Sequence, residues 1–296
     1  MGLIYETLSQ LGLTSKDTQE VFSLHTRDVS DLIVYRDKIS GVIYIDDYYS
    51  GDEEYKVGRY REDAISVAFD QAFKIDTSYK KVVETQRRYS DYKQFIIGMD
   101  VADLGCAYGE FLRLSRSTAR SVQGIELQQD YVNELQQTGI PCCSDLSDVK
   151  SCSVDSLFCF HAFEHFPDPL AVLKQVKPCL SSKGKIIFEV PHANDFLLNN
   201  LKNEAFMNFT LLSQHLVLHT RESLRRILEY VGFKNITIEG VQRYSIGNHF
   251  GWLVNGKPGG HQSILSVIEN EQLVEAYESA LCNIDATDTI VAIAEL

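Results

Sequence analysis

The chain has 296 residues, 44% of them hydrophobic, enough for one large domain with substantial additions. Its 41 acidic and 28 basic residues leave a formal net charge of −13, which argues against nucleic acid as a partner and leaves small molecules and neutral glycans. No apolar run approaches the roughly 20 residues of a spanning helix, and the opening Met-Gly-Leu-Ile-Tyr-Glu carries neither the basic nor the apolar region of a secretion signal.

In chain order, residues 1–76 read as a mixed α/β extension. Gly41 to Ile45 forms a strand pattern, followed by a polar stretch over 46–63 that carries Tyr48, Tyr49, Tyr55 and Tyr60. That stretch either covers a cleft or is an ordinary surface loop. A helical pattern runs over 76–97 and leads into a strand over 100–104. Further strands are expected over 121–126, 139–143, 154–160, 184–190, 234–241 and 287–295. Helices alternate with them, the signature of βαβ units and a parallel sheet. Asp168 is a candidate N-cap with Pro169 at the first helical position. After Thr220, Leu224, Ile227, Leu228 and Val231 fall on one helical face, and Gly232 stops it.

The seven cysteines are Cys106, Cys142, Cys143, Cys152, Cys159, Cys179 and Cys282. Their number is odd, no C-x-x-C pair occurs and most sit in apolar runs, which reads as reduced thiols in a cytoplasmic protein.

The most telling stretch is Val101 to Leu112, Val-Ala-Asp-Leu-Gly-Cys-Ala-Tyr-Gly-Glu-Phe-Leu. A strand breaks into a turn of small residues and then opens a helix. The spacing Asp103-x-Gly105-x-Ala107-x-Gly109 differs from the dinucleotide fingerprint, which would want glycine where Tyr108 and Glu110 stand. A second strand ends in Glu126, an acid able to accept two ribose hydroxyls.

Together these residues resemble motif I and its companions in the class I S-adenosylmethionine-dependent methyltransferases. The resemblance implies a Rossmann-like α/β fold with a seven-stranded, mostly parallel sheet, preceded by the N-terminal extension or lid over 1–76. The methyltransferase domain would span 77–296, with inserted acceptor-binding segments over 192–219 and 242–286, and an antiparallel edge pair over 234–241 and 287–295. It implies S-adenosylmethionine as cofactor. Asp103 would attract its ammonium group, while Gly105, Cys106, Ala107 and Gly109 leave room for its methionine end. Glu126 and Leu127 would meet the ribose, Asp145 and Leu146 the adenine, and Phe160 would close the site at the end of the fourth strand.

The run His161-Ala-Phe-Glu164-His165 matches the H-x-x-E-H pattern of one zinc-protease class, which needs a helix. Two prolines within four residues of His165 argue against that helix, although a zinc hydrolase remains the alternative from another class. The run Glu164-His165-Phe-Pro-Asp168-Pro169 is similar to one found in many methyltransferases. In quinone and small-molecule O-methyltransferases that segment holds a divalent ion, with Glu164 and His165 as the matching positions. His161 is the expected general base toward an acceptor hydroxyl, since imidazole titrates near neutrality. Glu164, His165 and His249 are further catalytic candidates.

Seven of the eight histidines fall between 161 and 261, with the single tryptophan among them. His192, Arg243, Tyr244, Asn248, Trp252 and His261 are the expected acceptor-binding residues, a polar pocket with an aromatic wall. The run from Asn248 to His261 resembles bacterial methyltransferases of surface-polysaccharide and sugar modification. No cysteine precedes Cys106, so the zinc module of those relatives is absent or reshaped. The implied function is O-methylation of a sugar or glycan precursor, with a quinone precursor or polyketide as the alternative acceptor.

Overall fold

The computed structural model describes residues 2–49, 51 and 77–296. Tyr55, Tyr60 and most of the 46–63 stretch lie outside these residues. The chain opens with the helix Leu3–Gln10 and strands β1 (Gln19–Ser23), β2 (Val34–Asp37) and β3 (Ile43–Ile45). The helix Thr77–Asp91 then leads to β4 (Asp100–Leu104), β5 (Ser121–Ile125), β6 (Cys142–Cys143), β7 (Val154–Phe160) and β8 (Leu180–Pro191). After β8 come β9 (Val217–Leu218), β10 (Lys234–Val241) and β11 (Thr289–Glu295).

Seven strands form the main sheet in the order β10-β11-β8-β7-β4-β5-β6. β6, β5, β4, β7 and β8 run parallel, while β11 lies antiparallel to both β8 and β10. The expected edge pair is therefore present, with β11 seated between β10 and β8. Strand β6 is shorter than the 139–143 pattern, because Pro141 has no N–H to donate and only its carbonyl reaches Gly124 N.

Sequence punctuation sets the flanking helices. Asp168 accepts from Ala171 N and opens Pro169–Val176. Thr220 and Ser223 form a capping box for Arg221–Val231, and Gly232 ends it at φ +91°. That helix buries Leu224, Ile227, Leu228 and Val231 against the sheet, the face expected from the pattern.

A second, antiparallel sheet runs β1-β2-β3-β9. Its last strand comes from the segment after β8, so the N-terminal extension and that segment build one sheet together. The packing is continuous as well. Tyr5, Leu8 and Tyr44 share a core cluster with Leu157, Phe188 and Ile290. All seven cysteines are free of disulfides. Among the described residues, no helix is long and apolar enough to cross a membrane.

Candidate functional site

The carboxyl ends of β4, β5 and β7 face a cleft of about 480 Å³, where parallel α/β sheets keep their ligands. Gly105 takes φ +77°, and a Cβ there would lie 2.7 Å from that of Ala162. The turn therefore closes against the β7 side only with glycine. Glu126 holds the turn through both carboxylate oxygens: Ala107 N donates to Oε2 at 2.8 Å and Gln128 N to Oε1 at 2.9 Å. Each oxygen keeps a further lone pair for a hydroxyl.

Asp103 lies beneath this floor, 4% exposed, with Oδ1 unpartnered. Burial raises its pKa to about 7, although Arg88 pulls the other way. An orphaned buried carboxylate under a bare-backbone turn suits the ammonium and carbon chain of an amino-acid cofactor.

Gly105, Glu126, Leu127, Asp145 and Leu146 line the cleft, with Tyr49 of the extension beside them. Asp145 also caps the turn Leu146–Asp148 by accepting from Ser147 N, which lowers its pKa. Asp103, Cys106, Ala107, Gly109 and Phe160 do not line it. Ala107 contributes only its N–H. The Cys106 thiol turns inward and packs on Gly124, and Gly109 on Leu135. Phe160 points to the other face of the sheet. There it stacks on Tyr92 at 6.0 Å under the Arg88 guanidinium, 4.4 Å from its ring centre.

A second cavity, about 380 Å³, opens beyond the first. Pro191, Asp195, Phe206, Phe209, His215, Arg243, Tyr244, Asn248, His249, Trp252 and His261 contribute to it, so both inserted segments supply its walls. His161 lines both cavities. It sits at φ +52° just after β7, its N–H donating to Glu189 O at 2.8 Å.

His161 is already engaged at both ring nitrogens. Arg243 Nη1 lies 2.6 Å from Nε2. A guanidinium only donates, so Nε2 accepts, and Nδ1 faces Glu164 Oε1 at 3.4 Å. Arg243 is correspondingly committed to protein partners rather than free for an acceptor. Its Nε donates to Glu84 Oε2 at 2.6 Å, and Asp288 accepts its backbone N–H. Glu189, fully buried, binds Arg87 at 2.5 Å and Arg88 at 2.7 Å. Burial would raise both carboxylates, but the guanidiniums prevail, holding Glu84 down at about 2 and Glu189 below its ordinary value.

Other expected residues settle differently. His192 does not line the cavity. It is buried, donates Nδ1–H to Thr287 O at 3.0 Å, and burial drops its pKa to about 4. His249 lines the cavity, but its Nδ1 meets Tyr277 Oη at 2.6 Å and its Nε2 meets Gln242 at 3.3 Å. That makes it an anchor rather than a base, and burial holds its pKa near 4. Asn248 Oδ1 accepts from Gly259 N and His261 Nδ1. Trp252 is 2% exposed and wedged between Phe206 and Phe209, so those two rings form most of the aromatic wall.

The H-x-x-E-H reading fails. Residues 163–165 form a single 3₁₀ turn, with no helix to put His161 and His165 on one face. Instead Glu164, His165 and His215 bring ligand atoms within 4.8 Å of one another, with His161 outside the set. Sequence reasoning missed His215 as a partner of Glu164, and the whole Glu84–Arg87–Arg88–Glu189 network. The signal for the latter was a charge inside the apolar run Ile186-Ile187-Phe188-Glu189-Val190.

Residues 82–238 match the family described as a methyltransferase domain. A ubiquinone biosynthesis O-methyltransferase of Idiomarina loihiensis is 25% identical over an alignment of 162 positions, and the match covers 49% of this chain and 66% of that relative. The chain thus spans just under two thirds of that relative's length. A crystal structure of a SAM-dependent methyltransferase from Archaeoglobus fulgidus shares the fold, with a TM-score of 0.53 and 19% identity. That match covers 78% of this chain and 99% of the other.

Proposed function

We propose that this chain, which belongs to the methyltransferase-domain family, uses S-adenosylmethionine to methylate a hydroxyl of a small cyclic acceptor, a sugar or glycan precursor, in the cytoplasm. The observation that carries this reading is His161, which lines both cavities and so stands where methyl donor and acceptor would meet. In this reading residues 77–296 are the catalytic unit, residues 1–76 its extension, and the segments 192–219 and 242–286 its acceptor walls.

The cofactor supplies a methyl group already activated by its sulfonium, so the protein's main task is alignment. Asp103 would attract the ammonium end from beneath the turn, Glu126 and Leu127 would meet the ribose, and Asp145 and Leu146 the adenine. An acceptor hydroxyl entering the second cavity replaces Arg243 at His161 Nε2 and passes its proton to that nitrogen. Arg243 then stabilises the developing oxyanion from the side. Asn248, Tyr244 and His261 offer polar contacts, and Phe206 and Phe209 a ring-sized apolar wall.

A phenolic quinone precursor is the second reading. The Idiomarina relative favours it, and so does the apolar wall. The deciding experiment begins with calorimetry of S-adenosylhomocysteine, followed by methyl-transfer screening of sugar and phenol panels. His161→Gln is expected to lower kcat at least ~100-fold while leaving S-adenosylhomocysteine affinity intact. A variant that turns over normally removes His161 as the base. Absence of cofactor binding by the intact protein overturns the reading altogether.

A further inference from the structure

We infer that Glu84 is a positioning residue for methyl transfer: it anchors Arg243 so that one guanidinium nitrogen covers the His161 imidazole before the acceptor arrives and meets the acceptor oxygen afterwards. That role rests on the methyl-transfer reading, whereas the arrangement of the three side chains does not. Glu84 belongs to the helix Thr77–Asp91 and lines neither cavity. It reaches the site only through Arg243. Arg243 itself is held at two points. Its backbone N–H donates to Asp288 at 3.0 Å, and its Nε donates to Glu84 Oε2 at 2.6 Å. Its Nη1 lies 2.6 Å from His161 Nε2. A guanidinium is a rigid planar fork, so fixing the direction of Nε fixes where Nη1 falls.

Glu84 is buried and firmly placed. Burial alone would raise its pKa, but Arg243 and Arg87 bring it down to about 2, so it stays an ionised acceptor. Arg87 donates to the same Oε2 at 3.3 Å and to Glu189 at 2.5 Å. The carbonyl of Glu189 in turn accepts the His161 N–H. These contacts close a ring, from the imidazole through Arg243, Glu84, Arg87 and Glu189 back to the main chain of His161. A displacement of Glu84 is therefore felt at the base.

Other carboxylates compete for the same guanidinium. Glu189 and Asp288 act on Arg243 alongside Glu84, and Arg243 acts on Glu164. Glu189 already binds Arg87 and Arg88. Glu164 is 1% exposed, and neither of its carboxylate oxygens accepts a hydrogen bond. It is the partner Arg243 would take without Glu84. Glu164 Oε1 faces Nδ1 of His161 at 3.4 Å, on the far side of the ring from Nε2. That move would carry the guanidinium away from the reacting nitrogen. With Glu84 in place, an acceptor hydroxyl entering at Nε2 gives its proton to that nitrogen and finds Nη1 beside its oxygen. The oxygen–methyl bond forms as the methyl–sulfur bond breaks, and the electron pair of the broken bond returns to sulfur.

The test compares Glu84→Met, Glu84→Gln and Arg243→Lys with the parent, all as the full chain. Methionine keeps the length and helix preference of glutamate but offers no oxygen acceptor. Glutamine keeps a carbonyl at the same reach. Lysine keeps the charge but replaces the fork with a single nitrogen, which does not span Glu84 and His161. Carbethoxylation of His161 by diethyl pyrocarbonate, located by peptide mass spectrometry, reads the cover over Nε2 with no acceptor present, and exposed His25 serves as the internal standard. It should quicken about tenfold in Glu84→Met and Arg243→Lys, which release that lone pair from a charge-assisted bond, and stay within about threefold of the parent in Glu84→Gln. With 3,4-dihydroxybenzoate and methyl α-glucoside as phenol and sugar probes, kcat should fall about 10- to 100-fold in the same two variants, with KM near that of the parent. Parent-like labelling in Glu84→Met, labelling in Glu84→Gln as fast as in Glu84→Met, or faster labelling with unchanged kcat overturns the role of Glu84. Should Glu84→Met not fold, parent-like labelling in Arg243→Lys overturns it. A parent that methylates neither probe counts against the methyl-transfer reading, and the labelling rates then decide alone whether Glu84 holds Arg243 on His161.

Discussion

On one side of His161 the walls come mostly from the carboxyl edge of the main sheet and the turns that follow it. The turn after β4, the end of β5 and the cap at Asp145 are short-range features, and a single carboxylate, Glu126, ties two of them together. On the other side the walls are side chains drawn from the N-terminal extension, the segment after β8 and the segment between β10 and β11. The first side is set by turns of the sheet itself, which suits a ligand that stays the same. The second depends on long-range ion pairs among Glu84, Arg87, Arg88, Glu189 and Arg243, so its shape and its stability are coupled. A surface built this way can change its ligand by changing an insertion, while the sheet beneath is left alone.

The largest expected effect tests that coupling. Arg243→Ala leaves Glu84 and its neighbours under-compensated in a buried setting and should lower unfolding free energy by about 3–5 kcal/mol in urea titrations. Its S-adenosylhomocysteine affinity should stay near that of the parent. A stable variant that loses cofactor affinity instead would mean the two sides are not separately built. Next, Glu126→Ala should cost about 2–3 kcal/mol of cofactor affinity by calorimetry, since it removes the ribose acceptor and releases Ala107 N. Unchanged affinity would remove Glu126 from the site.

The smallest effect is a pH dependence. Asp103 has a folded pKa raised to about 7, against roughly 3.9 for a free aspartate. The unfolded chain therefore gives up this proton first as pH rises. The stabilisation from the neutral carboxyl is complete below about pH 4 and declines until about pH 7. Cofactor affinity runs the opposite way, because the ammonium needs the ionised form: it should rise toward pH 7 by at most about tenfold per unit. Asp103→Asn should flatten that rise, which separates Asp103 from Asp195 and Asp288, whose pKa values burial also raises. A parent protein whose affinity ignores pH between 5 and 7 would show that Asp103 does not meet the ammonium.

The sheet and most of the first cavity were readable from residues because their determinants are local. Strand-length apolar runs, the cap at Asp168 and the stop at Gly232 each act within a few positions. The second cavity was readable only as a density of histidines. Its contacts join residues far apart in the chain, and no periodicity marks His215 as the neighbour of Glu164 or Arg243 as the partner of His161. Phe160 misled for a related reason. Alternation along β7 puts it on the face opposite the cleft, with Phe158, although it directly precedes His161. His192 follows β8 as His161 follows β7, yet its ring turns to Thr287 and stays buried.

Strand β9 has a consequence for the birth of the molecule. It completes a sheet whose other three strands lie within the first 45 residues, so those strands wait for a partner about 170 residues later. At ribosomal speeds of 5–20 residues per second, that delay is about 10–35 s. During it Ile43 and Tyr44 present an unpaired edge, the kind of surface that invites association with other nascent chains. The same late pairing brings His215 to Glu164. The wall between the two cavities is therefore set in a late step of maturation, at the moment the beginning of the chain is secured.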